Sequence, residues 1–193
     1  MTIGELYELF DDLRPYRRKA AAEILEHGLD TDRSAPCDGH LVCTETLDRL
    51  ERARKTLASL PGDGTHRELT VDGHDLAVVL DYEFQELERD ILCLRSGMQG
   101  VAAVLRAPGP FEEEVDAVLA LLAGRHYAGV FTDRDGTIAN YCGRYRSSHQ
   151  PLYAAVRVGR FAQGCTRDFF IVTSGPLYGH GLLSLSAFPE GTV

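Results

Sequence analysis

Apolar residues recur at intervals of three and four from residue 2 to 28 (Leu6, Leu9, Phe10, Leu13, Ala20, Ile24, Leu25), the spacing of one helical face. Pro15 falls inside this run. Lacking an amide hydrogen and clashing with the preceding turn, it is expected to kink the helix or divide it in two. Gly28 is a natural C-terminal stop, and residues 30 to 42, DTDRSAPCDGHLV, have the composition of a loop. Thr44 is expected to cap a helix over about 45 to 60, with Leu47, Leu50 and Leu57 on one face. PGDGTH ends it. Two short alternating runs around Asp72-Gly73 then predict a hairpin over 67 to 80. Helical spacing returns over about 82 to 106 with Phe84, Leu87, Ile91, Leu94, Val101, Val104 and Leu105. PGP at 108 to 110 punctuates the chain. Phe111 to Leu122 reads as a further helix whose first turn, EEE, suits the helix dipole.

A different pattern begins at residue 126. HYAGVFTD is a short apolar run of the kind buried inside a parallel sheet. Residues Gln150 to Ala162 predict a helix, and DFFIVTSG a second buried strand. Strand, helix, strand is a βαβ unit, and open parallel sheets bind ligands beyond the carboxyl ends of their strands. The predicted fold class is α/β: a partial Rossmann-like core of parallel strands preceded by a mainly helical region. The division falls into residues 1–122 and 123–193.

Composition narrows the function classes. Hydrophobic content of 44% and charged content of 25% are ordinary for a globular chain. The net charge of −9 disfavours nonspecific nucleic-acid binding and docking on anionic lipid. No apolar run approaches a membrane span, and the acidic start MTIGELYELFDDL lacks the form of a secretory signal, so a cytoplasmic location is expected. Five scattered cysteines (37, 43, 93, 142, 165) without a CxxC pair point to neither a disulfide framework nor a zinc site. Cys93, among apolar residues, reads as a small core residue. The seven histidines show no metal-binding spacing and read as structural or exposed.

The chemistry sits at the two strand ends. Asp133 and Asp135 are separated by one residue, and like charges so close are worth keeping where something cationic or electrophilic joins them. Glycine at the fourth position of DRDGT excludes a calcium loop, which needs it at the sixth. Phosphoryl transfer fits the pair. A carboxylate can attack phosphorus to form an aspartyl-phosphate, a second can protonate the leaving oxygen, and a cation offsets the repulsion. Gly136 permits a tight approach and Thr137 is placed to fix the second carboxylate. Thr173-Ser174-Gly175 offers a hydroxyl and a backbone amide to a phosphoryl oxygen.

DRDGT after one apolar strand and IVTSG after another, some forty residues on, resemble the haloacid dehalogenase superfamily of phosphatases. The wider stretch from FTDRDGTIANYCGRYRSS through IVTSGPL to FPEG is similar to its trehalose-6-phosphate and glucosylglycerol-phosphate phosphatases. The resemblance spans about residues 126 to 193 and leaves 1 to 120 unmatched. It implies Asp133 as nucleophile, Asp135 as general acid/base and Ser174 as the phosphate-binding hydroxyl, beside Gly175. It also implies magnesium held by Asp133 and the carbonyl of Asp135, with Arg144 and Arg146 on a flap that meets the substrate. Such enzymes also use a lysine and further aspartates downstream; the nineteen residues after Ser174 contain neither. The expectation is therefore a magnesium-dependent sugar-phosphate phosphatase with part of its site. Self-association or a partner would complete the core. The alternative is a non-catalytic phosphosugar-binding or regulatory/interaction module that retains half of such a site.

Overall fold

The computed structural model describes residues 1–27, 40–105, 111–139 and 144–189. The first helix, α1 (Ile3–Glu26), opens with a capping box: the Glu5 amide donates to Thr2 Oγ1 at 3.1 Å and the Thr2 amide to Glu5 Oε2 at 2.6 Å. These bonds hold the Glu5 carboxyl below its ordinary range. Leu6, Phe10, Leu13, Ala20, Ala21 and Ile24 form its buried face. Pro15 neither divides nor ends this helix. It lies on the exposed face, so the missing hydrogen bond is lost on the solvent side while Leu13 and Arg17 keep the flanking turns buried.

Helix α2 (Leu41–Ala58) starts inside the stretch expected to be loop, with His40 as its N-cap. Thr44 is not the cap: it lies a turn inside, its hydroxyl donating back to the His40 carbonyl at 3.0 Å. Residues 30–39 of the expected loop, the PGP sequence, Cys37 and Cys142 lie outside the described residues. Strand β1 (Gly62–Asp63) pairs with β2 (His66–Val71), which forms the expected antiparallel hairpin with β3 (His74–Val79). Asp72 and Gly73 both take positive φ in its two-residue turn. Helix α3 (Asp81–Leu105) follows and breaks at Gly97, whose φ of 66° is left-handed. Cys93 is buried against Met98, as its apolar surroundings suggested.

Helix α4 (Phe111–Leu122) leads into β4 (Tyr127–Asp133), α5 (Leu152–Cys165) and β5 (Thr166–Val172). The strands pair in parallel, from Tyr127 opposite Thr166 to Asp133 opposite Val172, with α5 in the connection between them. A short helix, α6 (Leu182–Leu185), comes last. One apolar core joins the two halves of the chain. Leu6, Phe10 and Leu13 of α1 share it with Leu50 and Leu57 of α2, Leu87 and Ile91 of α3, Leu152 and Val156 of α5, and Phe188.

The strands themselves are not buried, contrary to the reading of their apolar runs. Among the described residues their sheet has two strands, and one of its faces is open to solvent. Phe131 is 71% exposed and Phe170 45%, their rings stacked at 4.6 Å, with Val172 beside them. Among the described residues no helix is long and apolar enough to cross a membrane.

Candidate active site

Strand β4 delivers Asp133 to its carboxyl end, and the ladder continues one residue further through the Arg134 amide to the Val172 carbonyl, 3.1 Å. The chain then closes on itself. The Arg134 carbonyl accepts from the amides of Thr137, Ile138 and Ala139 at 3.3, 3.1 and 3.0 Å, and the Gly136 amide donates to the Ala139 carbonyl at 2.7 Å. Gly136 has φ of +89°, where a side chain would strain the backbone, so glycine is needed for this turn.

The turn separates the roles of the two carboxylates. Asp133 is exposed, and one of its oxygens accepts from Thr137 Oγ1 at 3.3 Å. Thr137 therefore supports the first carboxylate rather than the second. Asp135 is half-buried and held from two sides: by Arg134 Nη1 on Oδ1, and by Thr173 Oγ1 on Oδ2 at 3.1 Å. Thr173 in turn accepts from the Gly175 amide at 3.1 Å. The end of β5 is thus latched onto the Asp135 turn, and the parallel register puts Ser174 at the same sheet end as Asp133, exposed to solvent. Of the expected residues, the structure brings together Asp133, Asp135, Thr137 and the 173–175 turn. Thr173, not Ser174, touches the aspartate pair, and the Gly175 amide is turned onto Thr173.

Arg144 and Arg146 are held elsewhere. The Arg144 guanidinium donates to both oxygens of Glu83, at 3.0 and 2.7 Å, and to the Val79 carbonyl at 2.6 Å. Arg146 sits over the Tyr7 ring at 4.7 Å and 3.8 Å from the Asp11 carboxylate. Residues of α1, α3 and β3 occupy both guanidinium groups. The residue missed by sequence reasoning is Arg134, the intervening position of DRD. It is fully buried and bonds both Asp135 and the Ser148 carbonyl. The available signal was a cation placed between two anions in sequence.

A second buried polar group ties α1 to α3. Arg17 Nε meets Asp90 Oδ2 at 2.6 Å with both side chains buried. Desolvation pushes the Asp90 carboxyl up to about 6, opposed by Arg17 and reinforced by Glu86. Burial, then the charges of Arg17, Arg14 and Arg134, push His149 down to about 3, so the imidazole is neutral at pH 7. Its Nε2 is 3.1 Å from Asp11. Burial and Glu86, which accepts from the Tyr153 hydroxyl at 3.2 Å, raise the Tyr153 phenol.

Asp133 and the Asp135 carbonyl offer a hard cation a partial oxygen set. Magnesium commonly uses one or two carboxylates and completes its shell with water and phosphate, so these groups fit it. Among the described residues no cluster of three His, Cys, Asp or Glu forms a fuller cage. A surface groove of about 360 Å³ between α2 and α3 is lined by Glu51, Arg54, Lys55, Glu88 and Arg95 and contains neither aspartate. Chemistry, not concavity, locates the site. Beside β4, a groove of about 310 Å³ is mostly apolar, lined by Val130, Phe131, Ile138, Phe161 and Phe169 with Arg157 at its side.

A comparison with known families reaches the same segment. Residues 130–193 match the family described as Trehalose-6-phosphate phosphatase, C-terminal. Over 98% of its length the chain is 28% identical to UDP-forming alpha,alpha-trehalose-phosphate synthase 2 of Caenorhabditis elegans, covering 16% of that protein. Over 74% it is 36% identical to UDP-forming alpha,alpha-trehalose-phosphate synthase 1 of the same organism, covering 12%. Over 30% it is 48% identical to Trehalose-phosphatase of Brugia malayi, covering 12% of it. The chain spans about a sixth or less of each. The resemblance of residues 130–193 to the trehalose-phosphatase branch is borne out. The match to synthase 2 also takes in the N-terminal helices, which no motif had assigned.

Proposed function

We propose that the chain carries the nucleophile end of a phosphomonoesterase acting on trehalose 6-phosphate, with Asp133 as nucleophile and Asp135 as general acid/base. The observation that supports this reading is the division of environments between two aspartates one residue apart. Asp133 stands exposed at a strand end, steadied by Thr137. Asp135 is drawn back and fixed by Arg134 and Thr173, whose direction sets where its carboxyl points. A nucleophile needs access and an acid needs aim, and this geometry supplies one to each.

Attack by Asp133 on phosphorus forms an O–P bond and breaks the bond to the sugar oxygen, which takes its proton from Asp135. Asp135 then removes a proton from water attacking the acyl phosphate, releasing phosphate and restoring both carboxyls. Ser174, exposed at the same sheet end, would supply the hydroxyl that binds a phosphoryl oxygen. Magnesium, held by Asp133 and the Asp135 carbonyl, would neutralise charge on the transferring group. Arg144 and Arg146, bound to Glu83 and Asp11, take no part in this scheme.

The test is phosphate release from trehalose 6-phosphate by the chain with magnesium, alongside calorimetric titration of the same sugar phosphate. Release by the natural chain and none by Asp133→Asn supports the enzyme. Binding that neither hydrolyses substrate nor depends on Asp133 favours the phosphosugar-binding module instead.

A further inference from the structure

The turn that carries the two aspartates is gripped from behind by the first turn of α3, some fifty residues earlier in the chain. Glu83, with no exposed surface, accepts from Ser147 Oγ at 2.7 Å and from Arg144 at 3.0 and 2.7 Å. Tyr82 donates its hydroxyl to the His149 carbonyl at 3.3 Å. These bonds fix residues 144–149, where the Ser147 amide also closes onto the Arg144 carbonyl at 2.9 Å. The Ser148 carbonyl from this segment receives one arm of the buried Arg134 guanidinium, and the other arm reaches Asp135. Gln150 makes a second tie, from Nε2 to the Ile138 carbonyl at 3.4 Å.

A buried cation must have its donors satisfied, and a planar guanidinium fixes its acceptors relative to one another. Wherever Ser148 is held, Asp135 is therefore held too. We propose that Arg134 is a positioning residue for Asp135 and that helix α3, through Glu83 and the Arg144–Ser148 segment, sets its aim. The N-terminal helices act on this account as the backing of the aspartate turn rather than as a separate unit. The mechanical relay stands on the hydrogen bonds alone; its meaning for proton transfer rests on the phosphatase reading.

Two measurements on the full chain test it. Hydrogen exchange of the Gly136, Ile138 and Ala139 amides reports the turn directly. Arg134→Met and Glu83→Gln should accelerate these amides about tenfold or more relative to those of α2. Leu87→Ala, one turn along α3 in the shared core, should loosen turn and α2 in step. Arg134→Lys, which can reach one acceptor but not both, should fall between. If Glu83→Gln opens the turn no more than Leu87→Ala does, the relay is refuted. The second measurement compares trehalose 6-phosphate with p-nitrophenyl phosphate, whose leaving group departs without a proton. Arg134→Lys should lower kcat for the sugar phosphate about tenfold more than for the aryl phosphate, with KM little changed. Equal losses on both substrates overturn the aiming of Asp135. If the natural chain hydrolyses neither substrate, the phosphatase reading falls, and the exchange data still decide the relay.

Discussion

Replacing Arg17 by methionine should destabilise the protein by an amount that grows with pH. Arg17 and Asp90 are both buried and 2.6 Å apart, tying α1 to α3, and Asp90 also accepts from the Tyr153 amide at 3.3 Å. Removing the guanidinium leaves a carboxylate without its counter-charge in a desolvated site beside Glu86. Breaking such a pair typically costs about 3–5 kcal/mol. Protonation limits that cost in acid. The folded-state pKa of Asp90, about 6, already lies above its unfolded value, so its favourable contribution is complete below the unfolded pKa and is lost as pH rises through about 6. Without Arg17 the folded value moves higher still, and each further unit adds about 1.4 kcal/mol at alkaline pH. His149 acts in the same direction. Its folded pKa, about 3, is depressed partly by Arg17, so it costs stability as pH falls below the unfolded value near 6.5. Removing Arg17 relieves part of that cost in acid. Urea unfolding of both proteins at about pH 5 and about pH 8 measures the difference. The expected cost is about 3–5 kcal/mol at the higher pH and at least about 1.4 kcal/mol less at the lower. In an Asp90→Asn background most of this dependence should vanish. A cost equal at both pH values, or larger in acid, refutes the reasoning.

Pro15→Ala should stabilise the protein by up to about 3 kcal/mol in thermal or urea unfolding, because Pro15 lies exposed inside α1; a loss of stability would contradict this. Phe131→Ser with Phe170→Ser should reduce self-association in sedimentation velocity, since these stacked rings form the exposed apolar centre of the β4–β5 face. No self-association by the natural chain, or association unchanged by the two substitutions, would contradict this. Magnesium should bind weakly, with Kd about millimolar or higher, from the thin donor set at Asp133 and Asp135. A micromolar Kd by calorimetry would require a further ligand.

Periodicity made α1, α2, α3, the hairpin and the β4–α5–β5 unit legible, because each element buries one face and the spacing of apolar residues records it. Exposure of β4 and β5 was not legible. An apolar run states what a strand can bury, not whether another layer is present to cover it. Pro15 misled because a missing hydrogen bond matters less on a solvent face than the burial of Leu13 and Arg17 around it. At the site, the placing of Asp133 and Asp135 at a strand end, with the turn at Gly136, was readable from the apolar run before them and the glycine after them. The destinations of Arg144 and Arg146 were not, since Glu83 and Asp11 are distant in sequence and pair with them only through the fold. Thr137 meets Asp133 rather than the expected Asp135, and Thr173, given no partner by the sequence, meets Asp135 instead, because the direction of a hydroxyl follows the turn, which no spacing shows.

The most direct test of the account is covalent. The chain is mixed with magnesium and trehalose 6-phosphate, quenched in acid, and its peptides are read by mass spectrometry. The account predicts a phosphoryl group on Asp133, labile to hydroxylamine as an acyl phosphate is, and absent from Asp133→Asn. A label on Asp135 or on Ser174 instead, or none in a chain that binds the sugar phosphate, would contradict it.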